Sequence, residues 1–450
     1  MKLLKFLLIL VTISFLTACG SGSTDSSNTN SNTETNTTTT DNNSTTSDTN
    51  TTTTDDNTTT DTNTSLGLDD NESEAFTLIN QYRTSAGLTT LQTESLLNDA
   101  AYNHSNYLYL NNTISHYEVN TSSGFTGTTP GDRADYLGYT HIYLSENVSA
   151  GQTSSQNSID DLMSAIYHRF GFLDNSIDVI GIGIVDDRFT YDMSNSVLNA
   201  LCEGESYNGS GSYYPNMCGV DGFKIEATTF DTANAQLPLQ NPTYVIWPPA
   251  SATDITPVFY EESPDPLTDY SVSGYPVSIE FNSQKISSVE NVSFTLWKNG
   301  VEVTNTRVID ESSDVNGYFS SYQFALFPLE RLAWGTQYDA VFSYDENGTI
   351  SKTINWSFTT STPADTYFTI AAEDSSGAFN VTSGETTAVY FEPSDGNDSS
   401  LGSVSYSYSA QSVNLGFVDA NTLDVNITGS TGQYVQISTS NGKSVTLTIQ

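Results

Sequence analysis

Leu96-Leu-Asn-Asp-Ala-Ala-Tyr-Asn-His-Ser105 is the stretch on which the fold turns. Leu97, Ala101, His104 and Leu108 recur at steps of four, three and four, which traces one face of an α-helix. On that apolar stripe His104 is expected to be a packed, hydrogen-bonded core histidine rather than a ligand, and Ser105 is a similar case. All four histidines of the chain lie between His104 and His168. Imidazole is the side chain best suited to metal binding and proton transfer near neutral pH, so a polar site is sought in that segment.

Outward from this helix the same periodicity continues. Phe76, Ile79 and Tyr82 recur at three-residue steps on the other side of Gly87, so 72–110 reads as helical. Asp160 to Tyr167 reads as another helix, with Leu162, Met163 and Ile166 as its apolar positions. Ile177 to Val185 is a strand candidate with tight glycines at Gly181 and Gly183. Residues 70–236 are therefore expected to form a mixed α/β domain.

Several short motifs follow in order. They are Ile114-Ser-His116, Arg133 with Gly138-Tyr139, Ser145-Glu-Asn-Val-Ser-Ala-Gly151, Tyr167-His168-Arg169 and Ile180-Gly-Ile-Gly-Ile184. Together with the Ala100-Ala-Tyr-Asn-His-Ser105 helix, this series resembles the CAP superfamily of cysteine-rich secretory, antigen 5 and pathogenesis-related 1 proteins. The resemblance implies an α-β-α sandwich with a central cleft faced by two histidines and two acids. His116 and His168 carry over as the histidines and Glu146 as the first acid. The second acid has no motif of its own. Asp161, seven residues before His168, shares its helical face. Two turns span ~10 Å, too far to share one ion unless the helix ends between them.

His116, Glu146 and His168 form a His₂Glu set that can hold Zn²⁺ or another divalent metal with one open position. The same three can form a metal-free proton network. His141 falls outside the motifs and is expected on a loop surface. Arg133 and Arg169 are expected as structural anchors. Signatures of serine hydrolases, His-Glu-x-x-His proteases and P-loops are missing. His116-Tyr-Glu118 has the His-x-Glu form of zinc deaminases without their Pro-Cys-x-x-Cys partner.

The chain opens MKLLKFLLILVTISFLTACG, a short basic region and an apolar run too short for a comfortable span. Leu16-Thr-Ala-Cys19 resembles a bacterial lipobox. It implies that 1–19 is a lipoprotein signal, with cleavage before Cys19 and acylation of that residue, a membrane anchor. Gly20 and Ser21 after the cysteine suggest the outer membrane of a bacterial envelope. Residues 20–66 are almost all Ser, Thr, Asn, Asp and Gly, a tether of roughly 35–40 Å root-mean-square reach. The formal charge of −40 excludes the basic stripes that nucleic-acid binding requires. Cys202 and Cys218 are expected as a disulfide in an oxidising compartment.

Eight of the thirteen prolines lie between Pro238 and Pro276, so 237–272 reads as a stiff connector. Beyond it apolar residues alternate: Val277, Ile279 and Phe281, then Val292, Phe294 and Leu296, then Ile354, Trp356 and Phe358. With turns at Asn299-Gly300 and Asn347-Gly348, residues 273–361 read as a β-sandwich. The closing Trp356-Ser-Phe-Thr-Thr resembles bacterial Ig-like domains. Residues 362–450 read as a second, smaller β-module or as a completion of the first.

Three functions fit. The favoured one is a lipid-anchored envelope protein whose cleft binds a lipid, a peptidoglycan fragment or a peptide, and which is a binding protein more than an enzyme. The others are a metal-assisted hydrolase using His116, Glu146 and His168, and an adhesin or display protein acting through its Ig-like modules.

Overall fold

A computed structural model describes residues 19–20, 67–363, 366–398 and 400–450. The expected signal and tether, 1–19 and 20–66, lie outside the described residues apart from Cys19 and Gly20. Those two form a short strand, β1 (Cys19–Gly20), whose partner is Glu262–Ser263.

The first domain is an α-β-α sandwich. Its helices are α1 (Asp70–Ser85), α2 (Ser95–Asn111), α3 (Pro130–Tyr136), α4 (Ser155–Ser164) and α5 (Ile166–Phe172). Its sheet has the order β2 (Gln92–Thr93), β4 (Val179–Val185), β5 (Arg188–Ser194) and β3 (Leu144–Ala150). Alternation along β4 assigns its two faces. Ile180 and Ile182 point toward α1 and α4 and join Ala75, Ile79, Ile159 and Leu162 in the main core. Gly181 and Gly183 point the other way, against α2. A Cβ at Gly183 would stand 2.0 Å from the Tyr102 nitrogen, and one at Gly181 2.1 Å from the Leu97 carbonyl carbon. Helix α2 lies directly on the strand because no side chain separates them.

Helix α1 starts at a capping box between Asp69 and Glu72. The helix predicted over Asp160–Tyr167 is two helices. Ala165 is extended, at φ −75° and ψ 119°, and separates α4 from α5. Cys202 and Cys218 are joined by a disulfide.

The expected connector is not a free connector. Tyr244–Trp247 pairs with Val277–Phe281, and Ala252–Ile255 runs parallel to the strand Ile350–Thr360. Two of the prolines, Pro248 and Pro249, fall between these two strands, so neither strand loses a ladder donor to them. The sandwich comprises a four-stranded and a five-stranded sheet. Its core runs without a break into that of the first domain. Trp247 stands edge-on to Tyr82 at 5.3 Å. Arg169, fully buried, donates to the Pro276 carbonyl at 2.7 Å and to Ser278 Oγ at 3.0 Å. A second apolar cluster joins Ile166, Tyr167 and Phe170 to Phe259, Phe319 and Phe327.

The last module, from Thr366 onward, has two four-stranded sheets around its own core of Val389, Phe391, Leu423, Val435 and Leu447. It meets the sandwich through an Arg331–Asp419 ion pair at 2.7 Å, with the guanidinium against the rings of Trp334 and Tyr390. Among the described residues no helix is long and apolar enough to cross a membrane.

Candidate functional site

The polar cluster is built on β3. Glu146 is on this strand, and the antiparallel register places it directly opposite Asp192 of β5. Helix α3, capped by Thr129 and Asp132, delivers Arg133. The backbone of Gly127 allows that approach, since a Cβ there would stand 2.6 Å from the Arg133 nitrogen. Arg133 donates to Glu146 Oε2 and, at 3.1 Å, to the carbonyl of His116. His116 Nδ1 lies 2.8 Å from Glu146 Oε1. Both Glu146 oxygens are therefore engaged.

His104 stands behind this pair and is wholly buried. Its Nδ1 is 2.9 Å from Glu118 Oε1 and its Nε2 2.8 Å from the Ser115 carbonyl. A carbonyl only accepts, so Nε2 donates. Glu118 also accepts the N–H groups of Thr126 at 2.7 Å and Gly127 at 3.4 Å. The His104 ring is thus held between Glu118 and the Ser115 carbonyl, with its Nε2 3.9 Å from Glu146 Oε1.

Two facing carboxyls in a buried space cannot both ionise at ordinary pH. Burial works against the Glu146 charge, but Arg133, His104 and His116 outweigh it and hold this carboxyl well below the usual range. Burial and then the Glu146 charge push Asp192 well above it. At neutral pH Glu146 is the anion and Asp192 the neutral acid, which can donate toward it.

His168 belongs to a second cluster. It is fully buried on the first turn of α5, and its Nδ1 lies 3.1 Å from Glu262 Oε2. Glu262 comes from outside the first domain, on the segment that links the sandwich strands Ala252–Ile255 and Val277–Phe281. Its carboxyl also accepts the Ile166 N–H at 2.6 Å and the Tyr167 N–H at 3.4 Å. Burial raises the Glu262 carboxyl, and the His168 bond opposes the rise. Asp161 lies near this pair without bonding to it; Gln152 Nε2 donates to its Oδ2 at 3.3 Å. Burial pushes the Asp161 carboxyl up to about 6, with His168 opposing and Glu262 adding to the shift.

The expected metal set is divided between the two clusters. Among the described residues no three His, Cys, Asp or Glu side chains are grouped to hold a metal ion. The donor chemistry agrees: the two Glu146 oxygens are held by His116 and Arg133, and His168 turns its Nδ1 to a different acid. These residues do not fit a Zn²⁺ site.

Residues 76–201 match the family model described as CAP, the cysteine-rich secretory protein family. The chain carries a CAP domain. Among solved structures, the CAP region is similar to an extracellular protein containing a SCP domain from Bacillus anthracis. The two are 25% identical with a TM-score of 0.26, over 28% of this chain and 40% of that one. An outer surface protein from Borrelia burgdorferi is 18% identical with a TM-score of 0.26, over 28% of this chain and 96% of that one. The β-rich half is similar to the N-terminal Ig1-2 module of a Drosophila receptor protein tyrosine phosphatase. There the identity is 12% and the TM-score 0.15, over 46% of this chain and the whole of that one. No curated protein matches.

Within the CAP domain, His116 and Glu146 meet as the motif implied, while His168 pairs elsewhere. His141 packs on α3, 3.4 Å from Asp135 and only 16% exposed. Glu118, Asp192 and Glu262 have no place in the sequence reading of the cleft. Glu118 was visible only as part of a motif for another chemistry. Asp192 had a signal: it stands on the face of β5 opposite Phe189, Tyr191 and Met193, an acid in a strand buried from Phe189 to Ser194. Glu262 had none.

Proposed function

We propose that this is a cell-envelope protein, anchored through lipid on Cys19, whose CAP cleft binds a ligand rich in N–H donors. A peptide or a peptidoglycan fragment has that chemistry. The observation that carries this reading is the pairing pattern of the histidines. Among the described residues, His104 and His168 make their side-chain hydrogen bonds to carboxyls and to a backbone carbonyl, and to no hydroxyl or thiol. A nucleophile–base pair of the kind hydrolases need is not assembled around them. The two clusters instead hold five carboxyls, Glu118, Glu146 and Asp192 in one and Asp161 and Glu262 in the other, against Arg133 and three imidazoles. Such acidic surroundings favour a ligand that donates hydrogen bonds or carries positive charge.

The test is titration calorimetry of the purified chain with a defined disaccharide-tetrapeptide, an unrelated cationic peptide and phospholipid vesicles. Saturable binding of the muropeptide or the peptide, weakened at least tenfold by Asp161→Ala, is the expected result. Binding confined to the vesicles, or binding that Asp161→Ala leaves unchanged, rejects the reading. For the anchor, Cys19→Ser should abolish incorporation of radiolabelled fatty acid in bacterial cells; retained label in that variant rejects the lipid site.

A further inference from the structure

We infer that the CAP cleft of this chain is completed from outside the CAP domain, with Glu262, on the segment between two strands of the sandwich, as the positioning residue that holds His168. The inference concerns the cleft of the reading above but does not require a ligand.

The break at Ala165 leaves α5 without a side-chain cap of its own. Its first N–H groups, on Ile166 and Tyr167, therefore need an acceptor. Glu262 supplies one from outside the CAP domain, and the same carboxyl reaches His168 Nδ1. One carboxyl thus fixes both the helix that carries the histidine and the ring itself. Because Glu262 accepts the two backbone N–H groups, it behaves as an acceptor toward the ring as well, and Nδ1 donates to it. That bond fixes the orientation of the ring and the direction in which Nε2 points. Among the described residues Nε2 has no hydrogen-bond partner.

Glu262 is held in turn. It is 3% exposed. The chain on either side of it is pinned by Phe259 packing against Phe327 at 5.7 Å and by Leu267, fully buried in the cluster that contains Tyr167 and Phe170. The segment between the two sandwich strands therefore holds this carboxyl in place from both sides.

The experiment uses the full chain labelled with ¹⁵N at histidine. Four histidines give four imidazole patterns in long-range ¹H–¹⁵N correlation spectra, and His168→Asn assigns its own by loss. At pH 8 the expected pattern for His168 has a protonated Nδ1. Glu262→Ala should switch or average that pattern and leave His104 and His116 unchanged. A bare Nδ1 in the parent chain, or an unchanged His168 in Glu262→Ala, overturns the inference. If Glu262→Ala does not fold, Glu262→Gln keeps an oxygen for the Ile166 N–H and removes the charge. A cycle of Glu262→Gln, His168→Asn and the double variant, read by the urea midpoint, should be less than additive; strict additivity overturns the inference. All these readouts are taken without ligand, so a failure of muropeptide binding leaves them intact, and their failure leaves the binding test intact.

Discussion

Asp161 holds its proton to a pH of about 6 in the folded chain, against ~3.9 for an unfolded carboxyl. Between those values the folded state keeps a proton that the unfolded state releases. Stability from this group therefore falls as pH rises from about 4 to 6 and is level above. Asp161→Asn removes that fall, so its urea midpoint should change less between pH 4 and pH 7 than that of the parent chain. Equal changes would show that burial does not strain this carboxyl. Arg133→Met strips Glu146 of its main counter-charge in a buried setting and should cost about 3–5 kcal/mol in a urea titration. A loss below about 1 kcal/mol would mean that His104 and His116 suffice. The motif residues His116, Glu146, Arg133 and His168 were legible because each has near neighbours in sequence that repeat a known pattern. Glu262 was not, because it lies 94 residues from His168 and nothing local marks it. Whether the three expected ligands converge was not legible for a related reason: residue types are visible in a sequence, but which acid each imidazole turns toward is set by packing.

Helices and strands were read well where one periodicity ran undisturbed, as in α2 and β4. They were misread where a single residue decides the outcome. Ala165 ends α4 although alanine is the best helix former, because Glu262 offers the next turn a better acceptor than its own helix does. The proline-rich stretch was misread for the opposite reason. Composition describes the average of 237–272, while Tyr244–Trp247 and Ala252–Ile255 are short segments free of proline. The contact of α2 with β4 can be tested at one atom. Gly183→Ala places a Cβ 2.0 Å from backbone that cannot move aside, and overpacking of this kind costs typically 1–3 kcal/mol or more. Gly416→Ala, where the nearest atom is the Asp424 Cβ at 3.9 Å, should leave the melting temperature unchanged. Similar shifts in the two variants would refute the close approach.

The shared cores make a prediction about the whole molecule. The CAP domain and the sandwich bury Trp247, Tyr275 and Arg169 in common, while the last module keeps its own core. Differential scanning calorimetry should show two transitions, one for residues 67–363 together and one for the C-terminal module. Separate melting of the CAP domain and the sandwich would contradict the continuous core. The order of synthesis gives this architecture a further consequence. A ribosome releases the CAP segment first, with Ile166, Tyr167 and Phe170 uncovered, because Phe259, Phe319 and Phe327 are still unmade. The strand Ala252–Ile255 waits longer, for a parallel neighbour that ends at Thr360. The nascent chain thus exposes sticky surface for the time needed to add well over a hundred residues. An escort that shields apolar segments during synthesis would raise the yield of this protein far more than it would that of a CAP domain able to close on itself.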